Sequence, residues 1–295
     1  MLAGLAQLRF RGISPELSFV IVDNDPAGSA AETCDAARPS LPGSLNYVIE
    51  PRPGIAFARN AALDNSGDSE WLCFLDDDEV PDPLWLDELL RVQKRFNADV
   101  VGGPVLPQLP ADTPDWLIDG GFFDRNRHPT GTRLGHAFTN NVLFRRRILD
   151  ELKLRFDERW ALMGCEDHAF FQTIGMAGYR IIWADDALVI ESIPPSRANP
   201  NWLVQRHYRV GNSTAFVELD LRPRWKLAPL LIAKSAVWIV IGAGLFVGSV
   251  VGRRVMRLRA RRCCAYAAGM FMGVCGVPYE EYRKRHAAST SANEA

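Results

Sequence analysis

Short apolar runs alternate with amphipathic stretches over residues 18–191, and this alternation constrains the fold more than any other feature. The first run is Ser-Phe-Val-Ile-Val-Asp at 18–23, and the clearest later one is Trp-Leu-Cys-Phe-Leu at 71–75. Helices are predicted at 55–63 and from Trp85 to Phe96, where apolar residues recur at helical spacing. The alternation predicts an α/β fold with a largely parallel sheet and helices on both faces.

The remaining elements follow from the same patterns. Further strands are predicted at 46–49, 99–101, 141–144, 180–184 and 187–191, and further helices at 145–152, 166–177 and 202–216. Asp82 and Pro83 are predicted to cap and open the helix that carries Trp85. Residues 104–136 have no clear periodicity and predict long loops, which often bind ligands above an α/β sheet.

Composition excludes one class of partner and indicates a compartment. The formal net charge is -1, whereas a protein that tracks a nucleic-acid backbone needs a surplus of Lys and Arg. The six cysteines include no CxxC pair, so scattered thiols in a reducing compartment are expected. Nothing in the pattern indicates an oligomeric state.

The C-terminal part differs in kind from the rest. An uncharged, mostly apolar run of 18 residues at 235–252 precedes the strongly basic stretch 253–262, and a second apolar run follows at 263–278. A bilayer span needs roughly 20 apolar residues. We therefore predict membrane-associated helices lying in the cytoplasmic leaflet, with a true span or a buried soluble helix as alternatives. The predicted domains are 1–226 and 227–295.

An acidic triplet follows the apolar strand at 71–75 directly. Asp76, Asp77 and Asp78 come immediately after Leu75. Ligands of open α/β sheets sit beyond the carboxyl ends of the strands. Three neighbouring carboxylates repel one another unless a cation or solvent offsets them, and their oxygens suit Mg²⁺ or Mn²⁺. Such an ion would bridge a diphosphate, and the alternative is a solvated acidic turn.

Five motifs in order resemble those of family 2 glycosyltransferases with the GT-A fold. They are Val22-Asp23-Asn24, Gly54-Ile55-Ala56-Phe57-Ala58-Arg59-Asn60-Ala61, Phe74-Leu75-Asp76-Asp77-Asp78-Glu79, Glu166-Asp167 and Gln205-Arg206-His207-Tyr208-Arg209. The nearest subgroup comprises the bacterial exopolysaccharide and lipid-linked glycan enzymes, including succinoglycan-type transferases. The resemblance implies metal-dependent, inverting sugar transfer from a nucleotide sugar, with UDP favoured, to a lipid-linked or polysaccharide acceptor. It also implies that the transfer takes place at the cytoplasmic face of the inner or plasma membrane.

The resemblance assigns a donor side. Asp23 would hydrogen-bond the nucleotide base, and Arg59 and Asn60 would lie near the nucleotide and the acidic loop. Asp76 would face the ribose or the Mg²⁺ or Mn²⁺ ion, with Asp78 as the direct metal ligand and Asp77 in the middle position. A strand-end turn and an exposed helix face are the alternatives for Asp23 and for the Arg59–Asn60 pair.

The resemblance also assigns a base. Glu166-Asp167 matches the family's acidic pair, and Asp167 would deprotonate the acceptor hydroxyl. The pair opens a predicted helix, where the helix dipole favours an ionised carboxylate. An acidic helix cap is the alternative.

The Gln/Arg-rich motif at 205–209 differs from the form that it has in the family's processive synthases, Gln-x-x-Arg-Trp. Arg206 and Arg209 would contact the diphosphate, or lie on a solvated helix face. The sequence has Gln-x-x-x-Arg with no following Trp, so transfer of a single sugar is expected.

Weaker assignments concern the acceptor. Trp160 and Met163 would stack on an acceptor sugar or pack in the core. His136 and Asn141 would line the acceptor side.

The start of the chain departs from the family pattern. Residues 1–8 resemble the helix that follows the family's first strand, so the first strand is expected to be missing. A catalytically impaired nucleotide-binding or scaffold subunit of a glycan assembly complex is therefore the alternative function. A nucleotidyltransferase is disfavoured because no Gly-rich loop with a Lys or Arg follows a first strand.

Overall fold

Strands and helices alternate along the chain close to the predicted positions. The computed structural model describes residues 1–12, 14–249 and 254–280. Its strands are β1 Ser18–Asp23, β2 Ser44–Ile49, β3 Trp71–Leu75, β4 Glu79–Pro81, β5 Val100–Gly102, β6 Val105–Gln108, β7 Arg133–Leu134, β8 Asn141–Arg145, β9 Ile181–Trp183 and β10 Val189–Ser192. Its helices are α1 Leu2–Leu5, α2 Ala31–Ala37, α3 Ile55–Asp64, α4 Trp85–Phe96, α5 Asp115–Asp119, α6 Arg147–Leu152, α7 Glu166–Met176, α8 Pro200–Leu221, α9 Arg224–Gly248 and α10 Arg254–Val274. The predictions for residues 250–253 lie outside the described residues.

The strands form three sheets. The largest has the order β3-β8-β5-β9-β7, a second has β4-β10-β6, and β1 pairs with β2 in parallel. β5 and β9 are parallel, but β8 runs antiparallel to β3 and β5, and β7 runs antiparallel to β9. The α/β class is confirmed, but the large sheet is mixed rather than largely parallel. The long segment before β8 returns the chain to the end of β3, where Asn141 pairs with Leu75 and β8 runs back.

Side chains alternate between two hydrophobic clusters, one on each face of the large sheet. Along β5, Val101 joins the cluster that includes α4, and Val100 joins the cluster that includes α3, α6 and α7. Leu143 and Phe144 of β8 divide in the same way. Successive strand residues point to opposite faces, so both faces of this sheet are covered.

Two local predictions need correction. The helix that carries Trp85 begins at that residue, so Asp82 and Pro83 lie before it. Asp82 accepts the backbone N–H of Leu84 at 2.9 Å through its side chain, which makes a turn before the helix. The segment 104–136, predicted as long loops, contains β6, α5 and β7.

The chain divides into two compact units. The first comprises Met1–Pro107, Arg125–Leu162 and Glu166–Ser192, and the second comprises Gln108–Asp124, Met163–Cys165 and Ile193–Ala295 as far as described. The first unit carries the α/β layers, and the second contains α5 and α8 to α10. The domains predicted at 1–226 and 227–295 stay a prediction.

One helix of the second unit is apolar over most of its surface. Within 1–12, 14–249 and 254–280, α9 alone is long and apolar enough to cross a membrane by length and composition. Its 25 residues span roughly 37 Å at 1.5 Å each, against about 30 Å of bilayer hydrocarbon. Trp225, Val240 and Val247 are 76%, 71% and 71% exposed.

Candidate active site

Two apolar strands of the first unit end in carboxylates. β1 ends at Asp23, and β3 is followed at once by Asp76. The Asp76 side chain is 41% exposed, while Asp77 and Asp78 are exposed. The acidic loop therefore presents carboxylates to solvent at the end of an apolar strand.

One guanidinium joins the acidic loop to the start of α7. Arg59 lies on α3 with its side chain only 10% exposed, and it is ion-paired with the buried carboxylate of Glu166. Its second terminal nitrogen lies 3.4 Å from Asp76 Oδ1. Its guanidinium carbon lies 5.8 Å from the centre of the Phe156 ring. Arg59 thus brings together two acidic motifs that are distant in sequence.

Burial and crowding change the proton affinities of these acids. Burial raises the pKa of Glu166 to about 7, with Arg59 opposing the rise and Asp167 adding to it. Burial also raises the pKa of Asp76, again opposed by Arg59 and reinforced by Asp167, Asp78 and Asp77. Because these carboxylates repel one another, the site has excess negative charge that a further cation would offset.

Glu79 is a buried acid whose structural role the sequence analysis missed. It is 1% exposed, and its Oε2 accepts the backbone N–H of Asp76 at 3.1 Å. It lies opposite Glu191 across β4 and β10, and Glu191 is ion-paired with Arg125. Burial, with repulsion from Asp76, raises the pKa of Glu79 to about 9. Glu79 is therefore uncharged at neutral pH and holds the acidic loop by a hydrogen bond.

Asp23 is tied into its own loop. Its carboxylate accepts the Tyr47 hydroxyl at 2.6 Å and the backbone N–H groups of Ala30 and Asp25 at 2.8 and 3.0 Å. Burial raises its pKa, but these hydrogen bonds outweigh burial and hold the pKa below its ordinary value. The carboxylate stays ionised and fixed, and its contact with a nucleotide base stays a prediction.

The loop before α3 needs a glycine. Gly54 has a φ of 135°, and a Cβ there would come within 2.8 Å of the Ala161 Cβ. Its N–H donates to Asn24 Oδ1 at 3.0 Å, so β1 and the start of α3 are joined. The motifs around Asp23 and Arg59 are thereby held together.

Two predicted asparagines have structural roles. Asn60 donates to the carbonyl of Phe156 and accepts its N–H, at 2.9 and 3.0 Å. Asn141 accepts the indole N–H of Trp85 at 2.8 Å and donates to two backbone carbonyls at 2.9 and 2.8 Å. Both residues are buried. Asn141 therefore stabilises the sheet through these hydrogen bonds and has no open surface for a sugar acceptor.

The aromatic surface near the base candidate is not the predicted one. Trp160 is 6% exposed and Met163 is 5% exposed, so neither offers an open face for stacking. Instead, the His136 ring lies 5.0 Å from the rings of both Phe138 and His168. Phe138 is 47% exposed, and His168 directly follows the candidate base in the sequence. Only His136 of this cluster was predicted.

The predicted diphosphate contacts lie on α8 of the second unit. Arg206 and Arg209 are half-buried there, and the Arg206 guanidinium carbon lies 5.2 Å from the centre of the Trp202 ring. Their contact with a diphosphate stays a prediction.

The acidic loop fits a divalent ion that is shared with a substrate. No group of three or more His, Cys, Asp or Glu side chains positioned to hold a metal occurs among the described residues. Mg²⁺ in phosphate-transfer sites usually takes one or two protein carboxylates and completes its coordination with phosphate oxygens and water. Asp76 and Asp78 supply this type of donor set.

Comparison with known proteins assigns the family. The model of glycosyl transferase family 2 matches residues 5–153. The succinoglycan biosynthesis protein ExoM of Rhizobium meliloti (strain 1021) is 32% identical over 278 residues, covering 92% of this chain and 88% of its own. The chain belongs to glycosyl transferase family 2. It is a glycosyltransferase that uses a nucleotide-sugar donor.

Solved structures agree with a family 2 fold of the GT-A type. The TarS 1–349 structure from S. aureus in complex with UDP has a TM-score of 0.50 and 15% identity, covering 94% of this chain and 87% of its own. The mannosyltransferase PcManGT from Pyrobaculum calidifontis, in complex with GDP-Man and Mn²⁺, has a TM-score of 0.52 and 17% identity. That alignment covers 100% of this chain and 75% of PcManGT. At these identities, the likeness concerns the fold.

Proposed function

We propose that the first unit transfers a sugar from a UDP-sugar to a lipid-linked or polysaccharide acceptor, with inversion and with a divalent metal. The observation that carries the proposal is the convergence of Asp76 and Glu166 on Arg59, next to Asp167 and beside the end of β3. The exopolysaccharide role in the name of the 32% identical relative supports the acceptor class. UDP and Mn²⁺ in the solved neighbours support the donor and the metal.

Asp167 is the proposed general base. It is the second residue of α7, where the helix dipole favours an ionised carboxylate, and its Oδ1 accepts the N–H of His168 at 2.7 Å. It would take the proton of the acceptor hydroxyl as that oxygen attacks the anomeric carbon. The bond from this carbon to the phosphate oxygen breaks on the opposite side, and the nucleoside diphosphate leaves with the electron pair. This single displacement inverts the anomeric centre.

Asp78 and Asp76 are the proposed ligands of a Mg²⁺ or Mn²⁺ ion, with Asp77 beside them. When bound, the ion would supply positive charge next to the departing diphosphate. Arg59 holds the Asp76 side of the loop, and Glu79 holds its backbone. These contacts keep the carboxylates in place before substrate arrives, as transition-state stabilisation requires.

The donor side is proposed at the end of β1 and along α3. Asp23 would accept from the base, since its carboxylate is ionised and fixed by three hydrogen bonds. Asn60 acts there through its two bonds to Phe156, which fix the segment next to Arg59.

His136, Phe138 and His168 form the proposed acceptor platform. Their rings lie 5.0 to 6.2 Å apart, and one face of the set reaches solvent through Phe138. Aromatic rings pack well against the apolar faces of pyranose rings, so a sugar placed here would lie beside Asp167. This platform takes the role that Trp160 and Met163 cannot fill while buried.

The transfer is proposed to occur at the cytoplasmic face of a membrane. α9 exposes large apolar side chains, and α10 exposes Arg254, Arg257 and Arg261. Apolar surface favours hydrocarbon, and arginines favour anionic headgroups, at about 1 kcal/mol per basic residue near the surface. The second unit would thus keep the enzyme near a lipid-linked acceptor.

A donor panel with Mn²⁺ or Mg²⁺ tests the proposal. UDP-sugars and GDP-mannose are incubated with the full chain, and release of the nucleoside diphosphate is measured with and without EDTA. Asp78→Asn should lower the rate by at least about 100-fold. Asp64→Asn, an equal charge change at an exposed position on α3, should leave it unchanged. Full activity of Asp78→Asn, or full activity in EDTA, contradicts the metal assignment.

Binding without turnover is the second candidate function. It is favoured by one edge each of β1 and β3, which border the same cavity and pair with no strand among the described residues. Calorimetric titration with UDP and Mn²⁺ separates the two functions, because a scaffold subunit binds the nucleotide but releases no product from any donor.

A further inference from the structure

Arg262 of the second unit is a half-buried cation that forms no ion pair with a described carboxylate. It lies on α10, and its Nε and Nη2 atoms lie 3.0 and 2.7 Å from His207 Nε2 on α8. Burial lowers the pKa of Arg262, and repulsion from Arg259 adds to this effect. In the first unit, by contrast, Arg59 and Arg125 are each ion-paired with a glutamate. The charge of Arg262 thus lacks a counter-charge in the part of the chain that the structure describes.

The imidazole of His207 fixes one edge of this guanidinium. His207 Nδ1 lies 2.9 Å from the carbonyl oxygen of Leu203, so the proton of the neutral ring belongs on Nδ1. Nε2 is then the acceptor that faces Arg262. Burial, with repulsion from Arg262 and Arg206, lowers the pKa of His207 to about 4, which keeps the ring neutral. His207 therefore orients Arg262 without offsetting its charge.

An aromatic ring and a second arginine complete a basic cluster on α10. The guanidinium carbon of Arg262 lies 5.1 Å from the centre of the Phe122 ring, and Arg259 donates to the carbonyl of Gly120 at 3.2 Å. Residues three apart on a helix are neighbours on its surface, so both arginines face the same segment. Arg262 Nη1 has no acceptor among the described residues. We call His207, Arg259 and Arg262 the α10 basic site.

The α10 basic site has the hydrogen-bond donors that a phosphate group requires. A guanidinium presents its N–H groups in a planar fork that matches phosphate oxygens, and these charge-assisted bonds are strong. An anion would also offset the cost of removing the Arg262 charge from water, which no described carboxylate does. Because His207 and Phe122 already hold the guanidinium, binding would cost little side-chain freedom.

The packing of α9 on α10 places an apolar surface at a suitable distance from this site. A Cβ on Gly242 of α9 would lie 2.6 Å from Cys264 Sγ and 3.2 Å from the Ala260 carbonyl oxygen. At about 100° per residue, Arg262 lies on the opposite side of α10. Packed helix axes are roughly 8–10 Å apart, and headgroups add roughly 5–8 Å to each side of the bilayer hydrocarbon. Hydrocarbon around exposed Val240 of α9 would therefore bring lipid phosphates to the level of Arg262.

We propose that the α10 basic site binds the phosphate group of a phosphate ester, with Arg262 as the central contact and Arg259 beside it. The exposed apolar side of α9 favours a membrane lipid over a soluble phosphate as the source of this group. The lipid source rests on the membrane contact under the proposed function. The site itself requires neither a donor sugar nor a metal.

Vesicle binding by the full chain tests the lipid source. Sedimentation is measured with vesicles of phosphatidylcholine alone and with about one-fifth phosphatidic acid, whose headgroup is a phosphate monoester. Arg262→Gln, which keeps an N–H donor for His207, should weaken binding to the acidic vesicles at least about 20-fold. Arg257→Gln, an equal charge change at an exposed position of α10, should weaken it only about five-fold. Equal weakening by the two variants excludes a lipid phosphate at this site.

A thermal shift assay tests the soluble source. Inorganic phosphate or pyrophosphate is added without divalent metal, and a bound ion should raise the Tm of the full chain. If the site takes a soluble phosphate, the rise persists in Arg257→Gln and disappears in Arg262→Gln. That result, with equal weakening of vesicle binding, keeps the site and assigns it to soluble phosphate. If neither assay depends on Arg262, the proposal is overturned.

Stability and a conservative variant separate a phosphate contact from a structural role. Arg262→Gln removes a charge that no described carboxylate offsets, so its Tm should equal or exceed that of the wild type. A fall of more than roughly 5 °C would show that Arg262 mainly holds α8 against α10. Arg262→Lys keeps the charge but loses the fork, and it should weaken phosphate binding about ten-fold. Undiminished binding by Arg262→Lys would overturn the fork contact. None of these measurements uses sugar transfer, so their failure is distinguishable from failure of the proposed activity.

Discussion

Replacing Arg59 with methionine should destabilise the protein by an amount that grows with pH. Arg59→Met keeps most of the apolar stem but removes the positive charge between Glu166 and Asp76. Glu166 is 1% exposed, and removing one partner of a buried ion pair typically costs about 3–5 kcal/mol. The same charge opposes the rise in the Glu166 pKa, so its removal also changes proton binding.

The direction of the pH effect follows from the pKa of Glu166. In the intact protein this pKa is raised from 4.5 to about 7. The folded state therefore holds the proton more tightly, and stability falls by about 1.4 kcal/mol per unit between these values, about 3 kcal/mol in all. Without Arg59 the pKa moves higher, and the fall continues above pH 7. The loss in Arg59→Met should be smallest below pH 6 and grow by about 1.4 kcal/mol per unit above pH 7.

Urea unfolding at pH 6, 7, 8 and 9 measures this effect. The effect of Arg59→Met is measured in the wild-type background and again in a protein that carries Glu166→Gln. In the double variant, the pH dependence of the stability loss above pH 7 should disappear. The matched control is Arg155→Met, since Arg155 pairs with Asp64 at the surface and should cost less than about 1 kcal/mol at every pH. An equal loss at pH 6 and pH 9, or the same pH slope in the double variant, would show that Glu166 is not the group whose charge Arg59 offsets.

Three further changes have expected outcomes. Glu79→Gln should gain stability over wild type as pH rises from 5 to 9, by about 5 kcal/mol in urea unfolding, because the wild-type pKa is raised from 4.5 to about 9. Parallel stability profiles of the two proteins would contradict this. Phe138→Ala should raise the KM for the acceptor by about 10-fold and leave the KM for the donor unchanged. An equal rise in both KM values would exclude the ring cluster as the acceptor platform. Val240→Glu with Val247→Glu should reduce flotation with anionic vesicles without lowering the Tm, since both side chains are exposed; unchanged flotation would exclude α9 as a membrane contact.

The features that the sequence predicted well are local ones. β3 and the acidic loop are continuous in sequence, so an apolar run and the residues after it sufficed to place Asp76. The helical positions of Arg59 and Glu166 were also predicted. Their ion pair was not, because it joins residues 107 positions apart and depends on how α3 and α7 pack.

The features that were missed depend on tertiary pairing. Glu79 belongs to the recognised acidic motif, but its burial follows from β10, which places Glu191 opposite it. The direction of β8 depends on the long segment before it, which has no period that reveals where it returns. The ring cluster joins His136 to His168 across 32 positions, and adjacency of His168 to Asp167 was the one available signal.

The proposed mechanism depends on Asp167 deprotonating the acceptor at a site held together by Arg59, Glu166 and Asp76. Transfer and donor binding are therefore measured on the same samples of Asp167→Asn and of Asp112→Asn, a control at an exposed loop position. We expect Asp167→Asn to lower kcat by about 10² to 10⁴-fold while donor Kd and Tm stay within about two-fold and 2 °C of the control. Transfer at the control rate with donor bound would contradict it.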